Sequence, residues 1–73
     1  MRLWLIQWKA VHKPSGDKFI GLSIVVAETR DKAEDMAVEQ ATKQYQFEVV
    51  WKSSMTFDDK PGMKYQDFTY TGN

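Results

Sequence analysis

The stretch "RLWLIQWKAV", residues 2–11, alternates along its length. Trp4, Ile6, Trp8 and Ala10 fall on one side of an extended chain, and Leu3, Leu5, Gln7 and Lys9 on the other. A period of two with aromatic and β-branched content predicts a strand. In "HKPSGDK", Pro14, Ser15, Gly16 and Asp17 supply a turn. The next run, "FIGLSIVVAE", alternates again, with Ile20, Leu22, Ile24 and Val26 on one face and Phe19, Gly21, Ser23 and Val25 on the other. Two such runs around a turn predict a β-hairpin. The bulkier Ile20-to-Val26 row is expected beside Trp4, Ile6 and Trp8.

"ETRDKAEDMAVEQATKQY" changes the period. Ala33, Met36, Ala37, Gln40 and Ala41, with Tyr45 at the end, make a stripe at helical spacing. Thr29 or Asp31 can cap the N-terminus, and Asp31 followed by Glu34 fits a capping-box variant. Asp31, Glu34 and Asp35 early, with Lys43 late, suit the helix dipole. Alanines at 33, 37 and 41 let such a helix lie close on a sheet whose own side chains are large.

"YQFEVVWK" predicts a third strand, with Tyr45, Phe47, Val49 and Trp51 on one side. Asp58 to Gly62 mark a turn between Met55 and Phe57 and a Tyr65–Tyr70 run. A second hairpin is therefore expected, its last strand ending near Tyr70 and "TGN" frayed. The fold class is α+β: one domain over residues 1–73, a small antiparallel sheet in the order β-β-α-β-β with one helix packed on one face. No repeat, low-complexity segment or linker interrupts it.

At 73 residues the chain has room for one domain. A chain this short buries only about 60% of its unfolded surface. Three Trp, three Tyr and four Phe compensate, since each ring buries roughly 150–250 Å². Cysteine is absent and histidine occurs once, so neither disulfides nor a zinc site can staple the fold. Stability must come from packing, or from an oligomer or partner. Ten basic and ten acidic residues balance, a weak match to non-specific nucleic-acid binding. No apolar run approaches a membrane span and the N-terminus lacks a signal-peptide layout. A cytoplasmic protein without membrane attachment is expected.

Candidate chemistry is sparse. His12 has only Asp17 near it across the turn, and acid–base catalysis needs a positioned pair in a concave pocket. A solvent-exposed loop histidine is the plainer reading. Asp58–Asp59 lack the spacing of a calcium loop and read as turn solvation. Ser53–Ser54 have no nucleophile context, and no phosphate-binding glycine loop is present. The expectation is no enzyme, no cofactor and no metal.

Binding surfaces are the alternative. Arg2, Lys9, Lys13 and Lys18, with His12, give the N-terminal third a positive bias against Asp17 alone. That cluster is a solvated hairpin tip, or a positive finger for an acidic groove on protein or nucleic acid. The helix exterior carries Glu34, Asp35, Glu39 and Lys32, either to hold it in water or to meet a basic partner. With Trp4, Ile6 and Trp8 under the helix, Leu3, Leu5, Phe19 and Val25 face away from it. They form an interaction patch unless the C-terminal strands curl over them. Met55, Phe57, Met63, Tyr65, Phe68 and Tyr70 add a second adaptable apolar supply. The partner-binding candidates are Arg2, Leu3, Leu5, Lys9, Lys13 and Lys18.

A very short, cysteine-free, aromatic-rich chain, in which "VVAETRDKAEDMA" runs from a strand straight into a capped helix, resembles the small early proteins of lytic bacteriophages. Those proteins take over host machinery: some bind host RNA polymerase, others bind CRISPR effector complexes. The resemblance implies a monomeric, non-enzymatic protein-binding module that inhibits or modifies transcription by steric occlusion of RNA polymerase. One alternative is an anti-CRISPR inhibitor whose Glu34, Asp35 and Glu39 imitate phosphate. Another is a single-stranded nucleic-acid-binding domain using the hairpin lysines, although "KFIGLSIV" places aliphatics where an RNA-recognition sheet needs stacking rings. A third is a structural homodimer that seals the open sheet face against itself.

Overall fold

A computed structural model describes residues 1–58 and 62–72, with side chains for all of these except residues 57, 58 and 62–65. Its elements are β1 (Arg2–His12), β2 (Lys18–Ala27), α1 (Arg30–Tyr45), β3 (Phe47–Asp58) and β4 (Gly62–Gly72). The four strands form one antiparallel sheet in the order β3-β1-β2-β4. The expected α+β class and β-β-α-β-β order are therefore present.

The first turn sets the register of everything around it. His12 N–H donates to the Asp17 carbonyl at 2.8 Å, and Gly16 N–H donates to the His12 carbonyl at 2.7 Å, with Gly16 at φ +76°. Inside the loop the Ser15 hydroxyl accepts from Asp17 N–H at 3.2 Å and lies 2.7 Å from His12 Nδ1. This closure places Trp8 opposite Gly21, Ile6 opposite Ser23 and Trp4 opposite Val25. The expected facing of β2 is thus reversed. Phe19, Gly21, Ser23 and Val25 share the helix-covered side with the tryptophans, and Ile20, Leu22 and Ile24 turn the other way. A shift of one residue in register exchanges the two faces of a strand, and alternation alone does not fix it.

Two contacts explain why the smaller row goes inside. A Cβ on Gly21 would overlap the Trp8 indole, so the glycine is what makes room for the ring. Trp8 Nε1 donates to the Ser23 hydroxyl at 2.9 Å, and that hydroxyl donates to Gln66 Oε1 at 2.6 Å. Trp8 and Ser23 are both fully enclosed, where an unpaired donor would be costly. At the other end Trp4 Nε1 donates to the Ala27 carbonyl at 3.1 Å.

Thr29 caps α1, its hydroxyl accepting from Lys32 N–H at 3.2 Å. Gln46 ends the helix in the left-handed conformation, φ 59° and ψ 36°. Ala33, Ala37 and Ala41 are completely buried, whereas Met36 and Gln40, expected on the same stripe, are exposed. Three alanines a turn apart bring the helix onto β1, β2 and β3. Below the helix's C-terminal end lies an aromatic cluster. Phe47 stacks on Phe19 (centroids 4.9 Å apart) and on Tyr45 (5.6 Å), and Phe68 meets Phe47 edge-on at 5.0 Å.

β3 and β4 do not form the expected second hairpin. β3 pairs with the free edge of β1 and β4 with the free edge of β2, so they border opposite sides of the sheet. Of the expected turn, residues 59–61 lie outside the described residues. β4 continues two residues past Tyr70, with Gly72 paired to Lys18. A bulge at Val50 shifts β3 between its pairings with Ala10 and Lys9. Phe47 and Val49 therefore pack on the helix side, but Trp51 emerges on the other face, not with them as expected. An extra residue in an edge strand re-aims the side chains beyond it in this way.

Candidate docking surface

The helix covers one side of the sheet only. The last strand extends the sheet at its edge and does not cross the open side. By register, the face away from the helix carries Leu3, Leu5, Gln7 and Lys9 from β1, Lys18, Ile20, Leu22, Ile24 and Val26 from β2, and Trp51, Ser53 and Met55 from β3. Val26, opposite Leu3, is buried, so the open part runs from Leu5 and Ile24 towards Lys18. Leu3, Leu5, Leu22 and Ile24 are half-buried among one another, while Ile20, Trp51 and Met55 are exposed. Of the depressions that indent this face, two adjoin at its centre. One, of about 330 Å³, is bounded by Leu5, Gln7, Leu22, Ser53 and Met55. The second, of about 270 Å³, is bounded by Gln7, Ile20, Leu22, Asp67 and Thr69. Gln7 and Leu22 form the ridge between them.

Of the residues singled out in the sequence, Leu3, Leu5, Lys9 and Lys18 share this face. Arg2 and Lys13 do not. Arg2 occupies a helix-side register position at the far end of β1, opposite Ala27 and Asp58. Lys13 belongs to the turn, where its N–H donates to the Gln46 carbonyl at 3.0 Å. Phe19 and Val25, expected on the open face, are under the helix; Val25 is completely enclosed and Phe19 packs on the core. Ile20, Leu22, Ile24 and Trp51 take their place. The signal for them was Gly21: a glycine two residues before a serine is what a tryptophan on the neighbouring strand needs beneath it.

Charge on this face is mixed. Lys9 holds its ammonium 5.2 Å from the Trp51 ring centre, a cation–π arrangement that lays the charge along the sheet. Lys18 sits one row further on, opposite Val11, which also pairs with Glu48 of β3. Asp67 of β4 stands opposite Leu22. The described charges are two ammoniums and two carboxylates, so the positive finger expected from the first hairpin is balanced by the edge strands.

The acidic helix exterior is partly committed within the chain. Glu34 points back to the sheet: it accepts from the Ser54 hydroxyl at 2.8 Å and lies 3.8 Å from Lys52 Nζ, with its side chain 13% exposed. Glu39 pairs with Lys43 at 2.7 Å, and that hydrogen bond and charge hold its carboxyl below the usual carboxylate range. Among the described residues no group of three or more metal-ligating side chains converges. No described helix is long and apolar enough to cross a membrane.

Compared with models of known families, with curated proteins and with solved structures, the chain finds no match in any of the three.

Proposed function

We propose that this chain is a non-enzymatic protein-binding module that docks through the uncovered face of its sheet. The observation that carries the reading is an apolar run of Leu3, Leu5, Met55, Ile24, Leu22 and Ile20, with Trp51 exposed beyond Lys9 and Ser53, on the face that the single helix does not cover. Contiguous apolar patches of this kind mark interaction sites, and a central aromatic or aliphatic anchor carries most of the energy of such contacts. The resemblance to phage early proteins supplies the proposed partner, a host RNA polymerase. The proposed mechanism is steric: the docked domain blocks a factor or narrows a channel, and transcription is inhibited or modified. Cytoplasmic location follows from that partner.

The other readings draw less support from the geometry. Phosphate mimicry by Glu34, Asp35 and Glu39 loses Glu34, which is turned to Ser54 and Lys52 of the sheet, and meets a lysine at Glu39 in an exposed pair. Single-stranded nucleic-acid binding needs surplus lysines and several stacking rings, whereas the described face offers balanced charge and Trp51.

Immobilised chain incubated with bacterial RNA polymerase tests the reading. Wild type is expected to retain the enzyme and to reduce promoter-dependent transcript in solution. A Leu5→Asp, Ile24→Asp variant is expected to lose both. Retention by that variant equal to wild type would overturn the assignment to this face, and no retention by wild type would overturn the polymerase as partner.

A further inference from the structure

We infer that in the free chain the uncovered sheet face is occupied by a second copy of the same chain, stacked face to face as a two-fold dimer. This rests on the reading of that face as the docking surface and adds its regulation: a partner must compete with self-association.

Area is the first argument. Among the described residues, three strands about 4.8 Å apart presenting outward side chains over about 27 Å, with the shorter described part of β4 beside them, give a footprint of roughly 450 Å². Two stacked copies then remove about 900 Å² from water, the size of a weak, transient interface rather than a permanent one. A weak self-association, with a dissociation constant on the order of 10 µM, is expected.

Self-complementarity is the second. A two-fold contact matches a surface with itself, so like charges in excess would repel. Here Lys9 and Lys18 are balanced by Glu48 and Asp67 on the same side of the sheet, and the whole chain has no net charge. An anionic polymer would find no surplus of lysine to bind; a second copy meets both signs.

Chemistry at the middle of the face is the third. Gln7 is the polar side chain on the ridge between the two depressions, and it is exposed. A carboxamide is both donor and acceptor, so two of them across a two-fold axis satisfy each other, which two lysines cannot do. The depressions on either side of that ridge are positioned to receive the apolar side chains of the facing copy, and sheets stack in this manner about 10 Å apart.

Sedimentation equilibrium across roughly 1 to 200 µM, spanning the expected constant, tests the inference. Wild type is expected to rise with concentration from 8.5 kDa to twice that mass. Leu22→Lys is expected to stay at the lower mass with an unchanged far-ultraviolet circular dichroism spectrum, because Leu22 is not part of the helix-side core. Should Leu22→Lys fail to fold, Gln7→Lys on the exposed ridge serves in its place and is expected to weaken the dimer at least tenfold. A wild-type chain that remains monomeric throughout, or a dimer untouched by either lysine, overturns the inference. The polymerase retention assay separates the two ideas. A monomeric chain that still retains the enzyme overturns self-pairing alone, and a dimer that never retains it overturns the polymerase reading alone.

Discussion

The indole of Trp8 occupies the space that a β-carbon on Gly21 of the adjacent strand would need. Since Trp8 is 1% exposed and its ring centre lies 5.7 Å from that of Phe47, the ring has nowhere to retreat. Gly21→Ala is therefore expected to destabilise the fold by about 2–3 kcal/mol through overpacking. Chemical denaturation measures it. Combining Gly21→Ala with Trp8→Phe should recover part of the loss, because the smaller ring vacates the contested volume. Two independent, additive losses would mean that the ring and the glycine are not in contact.

Ser23 is the next most exacting position. Its hydroxyl takes the Trp8 N–H and gives its own proton to Gln66. Ser23→Ala leaves an enclosed indole donor without an acceptor, at a cost of about 1–3 kcal/mol. Replacing both partners, Ser23→Ala with Trp8→Phe, should cost less than the sum of the single changes, since the indole donor is removed together with its acceptor. A urea denaturation series reads the coupling; strict additivity would contradict the bond.

Gln46 offers the opposite sign. It holds a left-handed conformation at the end of α1, which a residue with a β-carbon adopts at a cost of about 1 kcal/mol. Glycine is the usual choice there. Gln46→Gly is expected to raise the denaturation midpoint, by about 0.5–1 kcal/mol of stability. A drop would show that the Gln46 side chain contributes more than its backbone strain costs.

These positions also show which parts of the fold were legible beforehand. Trp4, Ile6, Trp8 and Ala10 are buried as their alternation indicates, and the Ala33–Ala37–Ala41 stripe lies under the helix as its spacing indicates. In each case one side of the element is plainly fitter for a core. β2 offers no such contrast: both of its rows are apolar, and the row with Gly21 and Ser23 is the less greasy of the two. What places it inside is the indole across the hairpin, a pairwise fit fixed by the His12–Asp17 closure. Trp51 escaped for a different reason. Nothing in "FEVVWK" announces that Val50 is the extra residue of a bulge, and one extra residue sends the tryptophan to the other face. The open sheet face was therefore legible through Leu3 and Leu5, whose strand was read correctly, and misread through Ile20, Leu22 and Ile24, whose strand was reversed.

Because the chain has no cysteine, one introduced thiol reports on one place. Ser53→Cys puts it on the uncovered face beside Gln7 and Met55, and Thr42→Cys puts it on the exposed outside of the helix. The decisive measurement is the alkylation rate of each thiol at low protein concentration, with and without purified RNA polymerase. If the open sheet face is where this protein meets its partner, the enzyme slows modification at position 53 at least several-fold and leaves position 42 unchanged. Equal rates at position 53 with and without the enzyme, or protection at position 42 alone, would contradict that claim.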